Sequence, residues 1–272
     1  MQPLDPRLRG ALIFGALAAC LVLERLAPLR KRKQPQLKRM AINAGLAASA
    51  SALVRFAWAP LVAFVATETA ARGWGILPRL GLSRAAAFPL GFLALDYTLY
   101  AWHWLNHRVA FFWRFHNVHH VDLDLDATTA LRFHFGELTL SAVYRSFQII
   151  LIGVDLPLLV LFETLITASA VCHHSNLRLP PWLDRALSFV VVTPRMHGVH
   201  HSQVQNETDS NYTALFTIWD RLHGTLRLRV PQEKIVIGVP AYPKAADVTL
   251  WKSLWLPFRK QRAWGGPRTR AG

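Results

Sequence analysis

Long apolar segments recur along the chain and limit what it can fold into. Residues 10–29, 41–71 and 85–105 are each about long enough to cross ~30 Å of hydrocarbon as a helix. Backbone groups in lipid must be satisfied within the segment, so such segments are helical. Two shorter apolar segments, 138–152 and 156–171, flank a break at Gly153 and Pro157 and predict a helical hairpin. We therefore predict an all-α fold, with three spanning helices plus this hairpin.

The charge of the chain predicts how these helices are oriented. The chain carries 31 Lys and Arg against 16 Asp and Glu, with a net charge of +15. A soluble, basic nucleic-acid-binding domain would explain this charge but not the apolar segments, so we expect a multi-pass membrane protein without a nucleic-acid partner. Six of the ten residues 30–39 are basic, which predicts that the first loop is cytoplasmic. The composition, rich in Ala, Arg and Leu, points to a bacterial cytoplasmic membrane.

A few residues in the apolar segments have specific expected roles. Glu24 and Arg25, near the end of the first helix, are expected to extend toward the membrane interface. Pro60 is expected to kink the second helix. Cys20 and Cys172 form no metal or disulfide pattern.

Eight of the 12 histidines lie in three short clusters. The clusters are His103 with His107, then His116, His119 and His120, and finally His197, His200 and His201. Imidazole is the commonest protein metal ligand. If the first loop is cytoplasmic, the third spanning helix ends at the cytoplasmic face with the first of these clusters. The sequence therefore predicts a cytoplasmic, histidine-rich helical cap.

The spacing within the clusters indicates two ions. Residues three and four apart share one helix face, whereas adjacent residues such as His119 and His120 diverge by about 100°. Adjacent histidines can thus bind different ions, and eight imidazoles supply about four for each. His174, at the end of the predicted hairpin, is a further candidate ligand.

The types of ligand favour two iron ions that activate O2. Structural zinc usually takes cysteine and only four ligands, and the chain has neither a Glu-x-x-His nor a His-Glu-x-x-His motif. No haem, flavin or ferredoxin motif is visible, so electrons must come from a separate electron-transfer protein. The alternative is a histidine-rich membrane metal transporter, which would place histidines at mid-bilayer depth.

Spacing alone does not assign a single role to the isolated residues near the clusters. His134 can be a ligand or can support one, His173 is more often a packing residue, and His223 is expected not to be a ligand. Metal-bound imidazoles usually donate their second N–H to a carboxylate or carbonyl. The candidate carboxylates, each equally able to form an ordinary salt bridge, are Asp96, Asp122, Asp126, Glu137 and Asp209.

The motifs resemble those of the fatty acid hydroxylase superfamily, also called the sterol desaturase family. The resemblance covers residues 96–227 and includes the three clusters, Arg132-x-His134-x2-Glu137, His174-Ser-Asn176, Thr193-Pro194, Asn211-Tyr212 and Trp219-Asp220-Arg221. It implies a di-iron centre that hydroxylates or desaturates a sterol, fatty acyl or alkylglycerol lipid, or cleaves its ether bond. Phe135 and His223 depart from the pattern, and either His134 or His173 could supply a tenth ligand. The implied ligands are His103, His107, His116, His119, His120, His174, His197, His200 and His201.

These observations divide the chain into three parts. Residues 1–84 are predicted to form the N-terminal transmembrane helices and their loops, and residues 85–229 the catalytic domain. Residues 230–272 are predicted to be a basic C-terminal tail, in which no motif is visible.

Overall fold

The predicted all-α fold is confirmed. The computed structural model describes residues 2–264, and in this range no strand forms, only isolated bridges such as the one between Pro28 and Leu177. The helices are α1 (Pro6–Leu26), α2 (Gln36–Leu53), α3 (Ala59–Ala71), α4 (Ile76–Arg79), α5 (Arg84–Arg108), α6 (Ala110–His120), α7 (Phe135–Ile152), α8 (Leu156–His174), α9 (Pro181–Leu187), α10 (Pro194–His200), α11 (Gln205–Thr208), α12 (Ile218–Leu222) and α13 (Leu250–Trp255).

Three helical stretches in the described residues are long and apolar enough to cross a membrane. They are α1, the run Gln36–Arg79 that contains α2 to α4, and α8. Phe14 and Phe56 on the first two are 70% and 75% exposed, as expected for side chains that face lipid. The predicted third span corresponds to α5, whose 25 residues extend about 37 Å. Polar residues such as Asp96 lower its hydropathy, so α5 is not one of the three.

The second apolar segment contains a π-helical turn just before Pro60. Residues Val54–Trp58 form a π-helical turn between α2 and α3, and Pro60 lies at the start of α3. Proline lacks the N–H that would continue the ladder, and a π turn is a common way to accommodate the break. The helix therefore continues with a local irregularity.

The hairpin of α7 and α8 forms the centre of the apolar core. Gly153 ends α7 with φ +85°, a left-handed conformation that glycine adopts without strain. Asp155 caps α8 by accepting a hydrogen bond from the Leu158 amide at 3.0 Å. Ile149 and Phe162 are fully buried between the arms and their neighbours. The turn thus directs both arms into one core.

The segment that follows residue 230 packs onto the polar cap. Val239, Tyr242 and Val248 are buried in one cluster with Val118 of α6 and Leu123. Because α6 carries three of the clustered histidines, this C-terminal segment supports the site from outside. The last part of the predicted tail, residues 265–272, lies outside the described residues.

Candidate metal centre

The structure brings the nine candidate ligands together in two groups at one end of the helices. In each group, one ring nitrogen from every residue lies within 4.8 Å of the others. The first group contains His103, His107, His116, His120 and His200. The second contains His119, His174, His197 and His201. Adjacent histidines fall in different groups: His120 and His200 belong to the first, and His119 and His201 belong to the second. This division follows from the rotation of about 100° between adjacent helical residues.

The Nε2 atoms of each group point at one another. In the second group the Nε2 atom of His174 lies 2.9 Å from that of His119 and 2.9 Å from that of His197. In the first group, the Nε2 atoms of His103, His107 and His200 are buried without any hydrogen-bond partner. Two imidazoles that share an ion at about 2.1 Å bring their nitrogens to about 3 Å apart. The converging lone pairs and the orphaned nitrogens therefore fit two metal ions.

The outer ring nitrogens of five of these histidines face acceptors. The acceptors are Glu137 carboxylate for His116 (2.7 Å) and the carbonyls of Ser210 for His200 (2.7 Å), Ala170 for His174 (2.7 Å), Tyr212 for His103 (2.5 Å) and Arg132 for His119 (3.3 Å). A carbonyl or carboxylate can only accept, so the proton is on Nδ1 and the Nε2 lone pair is free to bind metal.

Burial favours the neutral form of His120, His200 and His201. It lowers the pKa of His200 to about 3 and, with the neighbouring imidazoles, lowers the pKa of His120 and His201 well below their usual range. A neutral imidazole is the form that ligates a metal. The site is therefore ready to bind without first losing protons at neutral pH.

The two isolated histidines occupy different environments. His134 accepts a hydrogen bond from the Gly136 amide at 2.9 Å and donates to the Leu254 carbonyl at 3.1 Å, so both of its nitrogens are used outside the two groups. His173 is buried with its ring 4.2 Å from that of His197, and its Nδ1 has no partner. Neither residue belongs to the groups. His223 is exposed and stacks on Tyr100.

The candidate carboxylates have separate tasks. Glu137 contacts an imidazole directly, whereas Asp209 lies 3.6 Å from Nδ1 of His107. Asp96 accepts a hydrogen bond from the Trp219 indole at 2.7 Å. The remaining two, Asp122 and Asp126, bind an arginine of α2 rather than any histidine.

That arginine, Arg39, joins α2 to the loop that follows the ligands of α6. Its guanidinium lies 2.7 Å from Asp122 and 2.7 Å from Asp126, and all three side chains are buried. Burial alone would raise the pKa of Asp122, but the charge and hydrogen bonds of Arg39 outweigh it and lower the pKa to about 2. Sequence reasoning missed Arg39 because it is one of six basic residues in its stretch.

Arg132 connects the same region to the histidines. Its guanidinium donates to the Val118 carbonyl at 2.8 Å and to Asn43 Oδ1 at 3.0 Å, while its own carbonyl faces His119. Arg132 of the Arg-x-His motif therefore links α2, α6 and the loop that precedes α7.

The expectation that Glu24 extends toward the interface is wrong. Its side chain is fully buried and accepts hydrogen bonds from the amides of Asn176 (2.9 Å) and Ala127 (3.1 Å). Asn176 in turn holds the backbone of Arg30 through Oδ1 at 2.9 Å and Nδ2 at 2.8 Å. These hydrogen bonds to backbone amides offset the cost of removing the Glu24 carboxylate from water. The His174-Ser-Asn176 motif therefore supplies both a candidate ligand and an anchor for α1.

A cavity of about 330 Å³ lies among α3, α5, α7 and α8. Arg145 and Glu163 form an ion pair of 2.8 Å on its polar side. None of the nine candidate ligands lines the cavity, and its residues Leu99 and Ser141 lie one turn along their helices from His103 and Glu137.

The described residues thus form an all-helical fold with two histidine groups, each of which could hold a metal ion. A family model described as fatty acid hydroxylase matches residues 88–225, so the chain belongs to the fatty acid hydroxylase family. With its three apolar helices, this makes the chain an integral membrane protein.

Curated relatives agree with this assignment over part of their length. The chain is 32% identical over 138 residues to ornithine lipid hydroxylase OlsE of Rhizobium tropici, covering 50% of this chain and 40% of that protein. It is 28% identical over 155 residues to human alkylglycerol monooxygenase, covering 54% and 32%. It is 34% identical over 140 residues to a cholesterol 25-hydroxylase-like protein of Danio rerio, covering 49% and 53%. No solved structure gives a significant match.

Proposed function

We propose that the protein is a membrane-bound non-haem di-iron oxidoreductase that uses O2 to hydroxylate a C–H bond of a lipid. The observation that carries the proposal is the pair of histidine groups with converging, neutral Nε2 atoms. Five imidazoles exceed the four ligands of a structural zinc site, and imidazole suits iron. The names of the relatives, hydroxylases and a monooxygenase acting on lipids, support the same class of reaction.

The nine histidines would hold the two ions, five around one and four around the other. When bound, the iron pair would supply the redox chemistry that activates O2 for insertion into a C–H bond. Imidazole brings no negative charge to a metal ion, so Glu137, which orients His116, would offset part of the charge of the site. Burial of the histidines excludes water, which would otherwise compete with the lipid.

We propose that the lipid chain reaches the site through the cavity among the apolar helices. Its walls are mostly apolar, and Leu99 brings the cavity to within one turn of His103. A chain lying there would extend from the membrane to the five-histidine group. The residues of the cavity would then decide which carbon is oxidised by fixing how far the chain enters.

Electrons would come from a separate electron-transfer protein, and the metal groups would face the cytoplasm. The first loop, with six basic residues in ten, supports that orientation by the positive-inside rule. A basic cytoplasmic surface would also attract an acidic redox partner. Hydroxylation is proposed over desaturation because the relatives are hydroxylases and a monooxygenase.

The proposal is tested by metal content and O2 consumption together. The protein is purified from iron-supplemented cells, because zinc can replace iron during overexpression. It should contain two metal ions per chain and consume O2 when reductant and a lipid extract are added. His120→Ala and His201→Ala should each lower metal content, since they remove a ligand from different groups. His223→Ala, at an exposed ring outside both groups, is the matched control.

Two results would contradict the proposal. One is a metal content of at most one ion per chain that neither His120→Ala nor His201→Ala lowers. The other is metal flux into proteoliposomes without reductant, which would support a transporter instead. The position of both groups at the ends of α5 and α8, rather than mid-helix, already favours the enzyme.

A further inference from the structure

A second cavity includes Arg195 of α10 in its lining, and none of the nine candidate ligands lines it. It has a volume of about 600 Å³, and its lining includes five basic and two acidic side chains. The basic residues are Arg30, Lys31, Lys33, Arg178 and Arg195. We call this cavity the basic pocket.

Arg30 is the feature that indicates a ligand. Its Nη2 donates to the Pro194 carbonyl at 3.4 Å and to the side-chain oxygen of Gln232, but its Nε and Nη1 atoms are buried without a partner. No carboxylate of the described residues lies within salt-bridge distance of it. Burial lowers the pKa of Arg30 to about 10, so it stays protonated at neutral pH. A buried cation without a counter-ion is costly.

The guanidinium of Arg30 packs closely against the backbone of α10 at a glycine. Arg30 lies against Gly198, between His197 and Val199, and a Cβ at Gly198 would overlap the guanidinium. The arginine is therefore held in place by a glycine of the last histidine cluster. An anion that pairs with Arg30 would also support the helix that carries His197.

The basic pocket lies where the apolar helices end. Two of these helices, α1 and α8, end at Leu26 and His174, and the segments that follow them pair through the Leu29 amide and the Asn176 carbonyl at 2.7 Å. Trp182 of α9, beside the pocket, is 71% exposed, and an exposed indole suits a membrane interface. Leu29 and Leu179 give the pocket an apolar wall. We infer from these features that the basic pocket is at the depth of lipid headgroups.

We propose that the basic pocket binds the phosphate of an anionic phospholipid from the surrounding membrane. The phosphate would supply the counter-ion that Arg30 lacks, and the apolar wall would contact the glycerol and the start of the acyl chains. A basic pocket between membrane helices is a recognised site for anionic headgroups, and arginine pairs with phosphate through charge-assisted hydrogen bonds. This inference does not depend on the reaction proposed above.

The test measures lipid retention by the full-length protein. The chain is placed in nanodiscs of phosphatidylcholine alone or mixed with phosphatidylglycerol, and native mass spectrometry counts the lipids that stay bound. Wild type should retain phosphatidylglycerol in preference to phosphatidylcholine and melt at a higher temperature in its presence. Arg30→Gln should weaken phosphatidylglycerol binding by at least about tenfold, because it removes the buried charge.

Two further variants keep the test decisive if Arg30→Gln fails to fold. Lys31→Gln combined with Arg195→Gln changes only the rim of the basic pocket and should also weaken binding. Arg259→Gln removes the same charge from an exposed position outside the pocket and should behave as wild type. Equal loss in Arg259→Gln would mean non-specific attraction and would overturn the proposal.

The source of the phosphate is tested in the same nanodiscs. Inorganic phosphate added to phosphatidylcholine nanodiscs should bind more weakly than phosphatidylglycerol, because it lacks contact with the apolar wall. Equal affinity for inorganic phosphate would overturn the assignment to a lipid. Equal retention of phosphatidylcholine and phosphatidylglycerol by wild type would overturn the anionic site itself.

Discussion

Replacing Arg39 with methionine should destabilise the whole protein, because it leaves two carboxylates buried without a cation. Asp122 and Asp126 both lie 2.7 Å from the guanidinium, and the side chains in these pairs are at most 6% exposed. Methionine preserves most of the volume but none of the charge. The change therefore isolates the electrostatic contribution.

The expected cost follows from the burial. Breaking a buried ion pair by removing one partner costs about 3–5 kcal/mol, which lowers the melting temperature by roughly 6–20 °C for a chain of this size. The exposed pair of Arg72 and Glu68, with side chains 59% and 33% exposed, is the matched control. Arg72→Met should cost only about 0.3–0.5 kcal/mol.

Thermal unfolding in detergent, followed by the fluorescence of the 10 tryptophans, measures both variants. Adding Asp122→Asn and Asp126→Asn to Arg39→Met should recover part of the lost stability, since it removes the unpaired charges. The reasoning is refuted if Arg39→Met shifts the melting temperature no more than Arg72→Met. It is also refuted if neutralising the two carboxylates recovers nothing.

Three other perturbations test separate parts of the structure. Glu137→Ala should weaken metal binding by about 10–100-fold, because His116 loses the acceptor that orients it. A competition titration with a chelator measures the affinity, and an unchanged value would contradict this role of Glu137. Gly153→Ala should cost more than ~1 kcal/mol of stability, because φ is +85° there and the new methyl would meet a backbone oxygen at 2.6 Å; an unchanged melting temperature would contradict this. Because the pKa of Asp122 lies below its ordinary value of 3.8, at about 2, it contributes about 2 kcal/mol above pH ~4. This contribution should disappear as the pH falls from about 4 to about 2, and stability measured over that range should depend less on pH in Arg39→Met than in wild type.

Most of the helices and the eight clustered histidines could be predicted because their signals are local. Apolar length predicts a helix from its own residues, and the division of His119 and His120 between two groups follows from the rotation of one helix. The hairpin bounds were close for the same reason, since Gly153 and Pro157 mark the turn in the sequence. These features need no knowledge of distant partners.

The supporting residues could not be predicted because their partners are far away in the sequence. Arg39 pairs with residues more than 80 positions later, and nothing in its own stretch distinguishes it from the neighbouring basic residues. The packing of residues such as Tyr242 against α6 is likewise a tertiary contact without a local pattern. Which of the five candidate carboxylates contacts an imidazole also depended on the packed arrangement, and in the described part of the chain only Glu137 accepts a hydrogen bond from one.

The burial of Glu24 has a consequence for how the chain is made. Its Oε1 contacts the nearby Arg32 and Gln36, but its Oε2 accepts from the amides of Ala127 and Asn176, the second of which is 152 residues later. At a synthesis rate of about 5–20 residues per second, Asn176 is made roughly 8–30 s after Glu24. During that interval Oε2 lacks the Asn176 amide and must bind water or another donor. Membrane insertion of α1 and its final docking are therefore separate events in time, and the second can occur only after His174 has been synthesised.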